Sequence, residues 1–304
     1  MQTLQQIING LMLGGILAFV AVAFTLTIGM LNFLNFTIPA LFMIAAMVTW
    51  ALSSTGGHVL ALGLPWYVAA MVGVLAAVAA SLVIERFTYR YMKARFGDAT
   101  EHALPLVSSL GFLIVFEHLV ITVWGTDPQR LEMPFKDANF RFAGLLVGMP
   151  HLASLILAIL LVWLLSTLLK RSRIGRALRA IAENPDASTL MGVEVSRIVP
   201  VVFVIAGVLS ALSGILYAAS YGTVTPYIGD VVAADAIAAM VLGGLGNVWG
   251  AIAGGLLVGL VKVLAISEFG ADIEKIPVWG LLLVILVIRP TGLFGGSKIG
   301  KGKF

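Results

Sequence analysis

The sequence predicts an all-α integral membrane protein, a polytopic bundle of about eight spans. Three observations carry that prediction. Only 11% of the residues are charged while 60% are hydrophobic, against about 25% charged in soluble domains. Residues 1–84 contain no Asp, Glu, Lys or Arg, so they cannot form a soluble surface. Glycine is abundant, at 33 residues, as expected where helices must approach closely in lipid. The absence of Cys excludes disulfides, thiolate catalysis and Cys-ligated metals. The four His are scattered without ligand spacing, so no metal site is expected. The net charge of +4 matters less than its placement, and no nucleic-acid partner is expected.

Apolar runs place spans near 7–30, 38–53, 65–84, 105–124, 151–169, 198–219, 248–266 and 276–289. Ala21-Val22-Ala23 has cleavage-site character, but no basic residue precedes the first run. It therefore reads as a retained span and not as a signal peptide. The runs at 38–53 and 276–289 fall short of the ~20 residues needed to cross the hydrocarbon, which suggests tilt or a break. Leu31–Pro39 interrupts the first two runs with Asn32, Asn35 and a proline; it is either a short loop or a break within the membrane.

Loop charges set the orientation. Loop 85–104, loop 170–197 and the tail from Arg289 hold fourteen of the nineteen Lys and Arg and are expected in the cytosol. Segments 125–150, 220–235 and 267–275 are balanced or acidic and are expected outside. The chain between the last two, residues 236–266, is too short for two full spans with a loop. The simplest solution is a re-entrant half-helix near 235–248, a turn at Gly243–Gly250 and a return helix from about residue 248. Irregular backbone at membrane depth survives only where protein or a water-filled cavity covers it, so Gly244, Gly246 and Asn247 are candidates for lining a transport path. The alternative is one long tilted helix, with the charge rule failing in one loop.

The polar island at 170–197 is the segment that a membrane bundle alone does not explain. Gly175–Glu183 reads as a helix carrying Arg176 and Arg179, broken at Asn184-Pro185. Asn is a good N-cap and Pro a good first helical residue. Ala187, Leu190 and Met191 then recur at helical spacing, and Gly192 supplies a stop. So short a helix is marginal in water by itself, which implies a partner groove. Attraction of the arginines to anionic headgroups is the competing explanation.

The stretch GRALRAIAENPDASTLMGVEVSR resembles the cytosolic loop of permease subunits of branched-chain amino acid ABC importers, of the LivH type. Asn9–Phe36 resembles that family's first span, Ala233–Gly259 its Gly-rich turn, and Arg289–Gly295 (RPTGLFG) its C-terminal signature. One element departs: where the family carries an Asn-Phe-Ala-His-Gly-like element, this chain has Asn35-Phe36-Thr37-Ile38-Pro39. The resemblance implies one permease domain over residues 1–304 in the bacterial inner membrane, with its C-terminus and residues 170–197 cytosolic. It implies a coupling element at Arg176, Arg179, Glu183, Asn184, Pro185, Ala187, Leu190, Met191 and Gly192. It also implies a LivM-like second permease subunit, two ATP-binding subunits (LivG/LivF-like) and a periplasmic substrate-binding protein. Branched-chain amino acids are the implied cargo; urea, short amides or aromatic acids are alternatives within the family.

Other polar residues in the spans are candidates for the path. Asn32, Asn35 and Thr37 offer hydrogen-bonding groups at an interrupted span, a usual place for transport sites, but equally serve as caps. Glu117 lies deep in the fourth span, where ionisable residues suggest function. It could pair with Lys262 or His118, stay neutral or line a path; a proton relay, as in a secondary transporter, would need a second carboxylate nearby. Lys262 could snorkel. The glycines at 246, 250 and 254, and at 255 and 259, have the spacing of close helix packing. Gly295–Lys301 superficially fits a phosphate loop, but Gly302 stands where Ser or Thr is needed. ATP is therefore expected to be hydrolysed by partner subunits, with no cofactor held by this chain and no enzymatic activity of its own.

Overall fold

The computed structural model describes residues 2–31, 33–56, 58–91, 103–131, 139–142, 145–183 and 185–295. The helices are α1 (Gln2–Leu31), α2 (Ile38–Ser53), α3 (Trp66–Ile84), α4 (Ala103–Trp124), α5 (Met149–Arg171), α6 (Arg173–Glu183), α7 (Pro185–Leu190), α8 (Val195–Tyr221), α9 (Ile228–Gly243), α10 (Val248–Phe269) and α11 (Lys275–Ile288). α1, α3, α4, α8 and α10 are each long and apolar enough to cross a membrane, and α2 and α11 are shorter apolar helices. The helix expected over 235–243 begins earlier than its charges suggested, at Ile228. Asp230 lies in its first turn, where the helix dipole favours an acid, so an acid read as a loop marker is a helix-start residue.

The all-α expectation needs one addition. Segment 125–150 carries short strands, β1 (Gln129–Arg130), β2 (Asn139–Phe142) and β3 (Leu145–Gly148). β2 and β3 pair as an antiparallel hairpin, and β1 pairs antiparallel with β4 (Thr223–Val224).

The chain divides into two compact units, one built from 1–32, 155–202 and 235–304, the other from 33–154 and 203–234. In the first, α1 is buried on all sides from Met12 to Leu26, as a helix apolar all round must be. It runs antiparallel to α10. Gly10 abuts Leu260, Gly14 abuts Leu256, Ala18 abuts Gly255 and Gly29 abuts Gly246. A Cβ on Gly14 would lie 2.6 Å from the Leu256 Cα, and one on Gly259 would lie 2.4 Å from the Gly14 Cα, so larger residues would force the helices apart. The two glycine rows of α10 serve different neighbours. Gly255 and Gly259 meet α1, while Gly250 and Gly254 meet the Gly243 and Ala239 carbonyls of α9.

In the second unit α2 is the core. Leu41, Phe42, Met43 and Met47 are all buried. Gly73 of α3 packs on Ala45 and Thr49, and Gly214 of α8 packs on Phe42. The Ser81 hydroxyl donates to the Phe203 carbonyl at 2.7 Å, tying α3 to α8. His58 sits in the loop after α2 and stacks on Trp50 at 4.2 Å. The outer faces of α3, α4, α5 and α11 expose Leu75, Ile114, Trp163 and Val287. Apolar exposure on that scale suits lipid and not water.

Candidate coupling surface and transport path

The polar island folds as two helices at right order and spacing. Ser172 caps α6: its hydroxyl accepts from the Gly175 N–H at 2.9 Å. Gly175 is forced by the tight corner after α5, since a Cβ there would lie 2.1 Å from the Leu169 carbonyl oxygen. Arg179 donates to that same carbonyl at 2.6 Å, and Arg176 donates to the Arg171 carbonyl at 3.4 Å. Both arginines thus satisfy carbonyls at the C-terminal end of α5, which would otherwise lack partners. Leu178 and Ile181 turn inward and are buried. α6 is therefore an amphipathic platform, fixed to the bundle through its apolar face and its arginines.

α7 starts at Pro185. Asn184 lies outside the described residues. Its far end closes as a Schellman motif: Gly192 N–H donates to Thr189 O at 3.0 Å and Val193 N–H to Ser188 O at 3.0 Å. Gly192 adopts φ +85°, the left-handed conformation this stop requires. The cap leaves Leu190 and Met191 at the tip, 88% and 85% exposed, beside exposed Ala187. A leucine and a methionine held almost wholly in solvent by a well-terminated helix form a small apolar knob that no described residue covers.

The candidate path residues divide between the two units. In one, Asn35 and Thr37 are buried. The Asn35 side-chain oxygen accepts from the Thr37 N–H at 3.1 Å and from its hydroxyl at 2.6 Å, the turn chemistry expected of a cap. Among the described residues the Asn35 amide nitrogen has no hydrogen-bond partner. Nearby, Phe36 N–H donates to the Ser109 hydroxyl at 3.2 Å, pinning this break to α4. Asn32 lies outside the described residues. Glu117 and Asp230, of the same unit, lie close enough for their carboxyls to interact, while His118 turns its Nδ1 to the Ile114 carbonyl at 2.9 Å.

In the other unit, the turn between α9 and α10 is clasped by the C-terminal signature. Leu293 N–H donates to Leu242 O at 2.8 Å and Phe294 N–H to Gly243 O at 3.1 Å. Gly244 takes φ +103° and packs against the backbone of Gly292 and Gly295. Asn247 uses both ends of its side chain. Its oxygen caps α10 through the Trp249 and Gly250 N–H groups at 3.1 and 3.2 Å, and its amide donates to the Phe294 carbonyl at 2.9 Å. Gly246, at φ +80°, rests on Gly29. Lys262 is not a snorkelling residue. It bridges Asp235 of α9 at 2.6 Å and Glu274, just before α11, at 3.3 Å.

Sequence reasoning missed Asp230 and Asp235 as partners, and missed the clasp. Asp235 carried a visible signal, since it stands alone in the apolar run AADAIAAMV. The clasp had none, because two motifs about fifty residues apart meet mostly through backbone groups.

Residues 6–288 match the family described as branched-chain amino acid transport system / permease component. The chain belongs to this family. The high-affinity branched-chain amino acid permease BraD of Pseudomonas aeruginosa is 29% identical over 98% of this chain and 97% of its own length. The permease LivH of Escherichia coli (strain K12) is also 29% identical, with the same coverage. The ribose import permease RbsC of Bacillus subtilis is 28% identical over 60% of this chain and 58% of its own. The permease is thus a membrane-embedded transport component. Beyond Gly295 the tail read as no phosphate loop lies outside the described residues.

Proposed function

We propose that this permease carries branched-chain amino acids across the bacterial inner membrane, driven by separate ATP-binding subunits that grip α7. The observation that carries the coupling role is the exposed Leu190–Met191 tip on a capped helix. The substrate reading rests on coverage. The amino-acid permeases align with this chain from end to end, whereas the ribose permease covers little more than half. A LivM-like subunit, two LivG/LivF-like ATPases and a periplasmic binding protein complete the assembly, and this chain contributes no ATPase site. Asn35, Thr37 and Glu117, with Gly244, Gly246 and Asn247, remain our candidates for the path. The Asn35 amide, without a partner among the described residues, supports its inclusion, because a buried donor without a partner is costly unless something supplies one. The Glu117–Asp230 pair is a feature that a proton-coupled carrier would also show.

Uptake into vesicles holding the reconstituted complex tests both points. Leucine, isoleucine and valine should accumulate with internal ATP and without a proton gradient. Accumulation of urea, an aromatic acid or ribose in their place would refute the substrate reading, and dependence on a proton gradient would refute the motor.

The helix directions support an orientation. The end of α1, the α9–α10 turn and the segment after α11 gather together through Gly29, Gly246, Gly244 and Gly292. The opposite end holds Gly10, Leu260, Lys262 and Glu274. Arg289, Lys298, Lys301 and Lys303 assign the first end to the cytosol, so the start of α1 faces outward and α9–α10 dips to the cytosolic level of α11. We count about eight spans, with α10 of this hairpin among them and α9 as its re-entrant arm. The chain has no Cys, so single cysteines report cleanly. An impermeant maleimide outside intact cells should label Gln5→Cys and spare Thr189→Cys; the reverse pattern would invert the topology.

A further inference from the structure

At the end of α3 the winding changes. Glu85–Tyr91 is π-helical, a rare geometry often found at functional sites. Its i→i+5 bonds widen the turn and bring residues four and five apart into line. Leu82, Val83 and Phe87 thereby form one exposed apolar wall, with Arg86 and Arg90 beyond it. These residues and Glu85 line a groove of about 310 Å³. Glu85 is buried behind the arginines, and its carboxylate holds Arg90 through Nε at 3.8 Å. Among the described lining residues, one acid and two guanidinium groups leave a single net positive charge, placed where the first charged residues follow 84 uncharged ones.

We propose that this groove binds the headgroup of an anionic phospholipid. Its phosphodiester would sit between Arg86 and Arg90, and its upper acyl carbons would lie along Leu82, Val83 and Phe87. Guanidinium groups match phosphate oxygens in geometry as well as charge. The apolar wall selects a lipid over free phosphate, which would leave that wall bare. Glu85 sets the orientation of Arg90 and limits the site to a singly charged headgroup. The volume suits a phosphodiester and the first carbons of a chain, not a whole lipid. A zwitterionic headgroup would bring its own cation against the arginines and bind less well.

Native mass spectrometry of the purified full chain, titrated with phosphatidylglycerol or phosphatidylcholine, tests this directly. The wild type should retain one phosphatidylglycerol at least fivefold more tightly than phosphatidylcholine. Arg86→Gln leaves the Glu85–Arg90 pair intact and should cut that preference at least threefold. Should further charge removal unfold the chain, the combined variant Glu85→Gln, Arg86→Gln, Arg90→Gln removes the buried acid with its partners and should abolish the preference. Arg197→Gln, on an exposed surface pair with Glu194, should change nothing. Equal retention of both lipids by the wild type, or a preference that survives the triple variant, overturns the proposal. Displacement of the lipid by millimolar inorganic phosphate would reassign the groove to free phosphate and overturn it equally.

Discussion

Leu190→Asp should abolish co-purification of the ATP-binding subunits and transport-coupled ATP hydrolysis while leaving the permease folded. Leu190 is 88% exposed, so the substitution removes almost no packing, and changes at such positions usually stay within about 0.5 kcal/mol. In a groove the balance reverses. Burying a leucine contributes roughly 1.5–3 kcal/mol, and a carboxylate forced into the same place adds a desolvation cost of several kcal/mol. At about 1.4 kcal/mol per tenfold, binding should fall by at least about a hundredfold. Leu190→Met keeps an apolar tip and should retain most binding. Two measurements check this: pull-down of the ATPases, and the thermal unfolding midpoint of the isolated permease, which should not move. Unaltered co-purification by the Asp variant would place the grip elsewhere. A lowered midpoint would show that Leu190 is covered by this chain after all.

Much of this architecture was legible because lipid simplifies the code. The apolar run 38–53 became α2 with the same limits, since an uncharged run bounded by Pro39 and a Ser-Thr-Gly-Gly loop leaves little choice. The Gly192 stop was legible because one residue type dominates that backbone conformation. The β1–β4 pairing was not, since two-residue strands nearly a hundred positions apart carry no periodicity. The start of α7 at Pro185 was legible and the use of the arginines was not. Arg176 and Arg179 read as a charged face, yet their donors serve the carbonyls of the preceding helix. The charges in α9 misled for a physical reason. Loop rules treat an acid as a marker of the water phase, whereas Asp230 faces Glu117 and Asp235 is neutralised by a lysine 27 positions on. Partner identity across helices depends on which faces meet, and that follows from packing rather than from spacing along the chain.

The bridge made by Lys262 should produce a large loss of stability and a revealing recovery. Its ammonium is 12% exposed, Asp235 is 4% exposed and Glu274 is 22% exposed, so water can solvate none of them well. Lys262→Met leaves Asp235 as a buried acid without its cation. Removing one partner of a buried pair costs about 3–5 kcal/mol, far more than the pair itself contributes. The Lys262→Met, Asp235→Asn double variant has no orphaned charge at the α9–α10 contact and should regain most of that loss. Partners in one ion network couple by about 0.5–3 kcal/mol, so the cycle should be strongly non-additive. Glu274→Gln alone should be milder, because the 2.6 Å contact to Asp235 persists. Equilibrium unfolding of the wild type, Lys262→Met, Asp235→Asn, their double variant and Glu274→Gln in one detergent reads the energies. Protection of α9 backbone amides from hydrogen exchange reads where they act, because the lysine holds that helix against α10. Additive losses, or a Lys262→Met permease as stable as wild type, would mean that the ion cluster does not hold the hairpin and that the glycine contacts of α10 alone do.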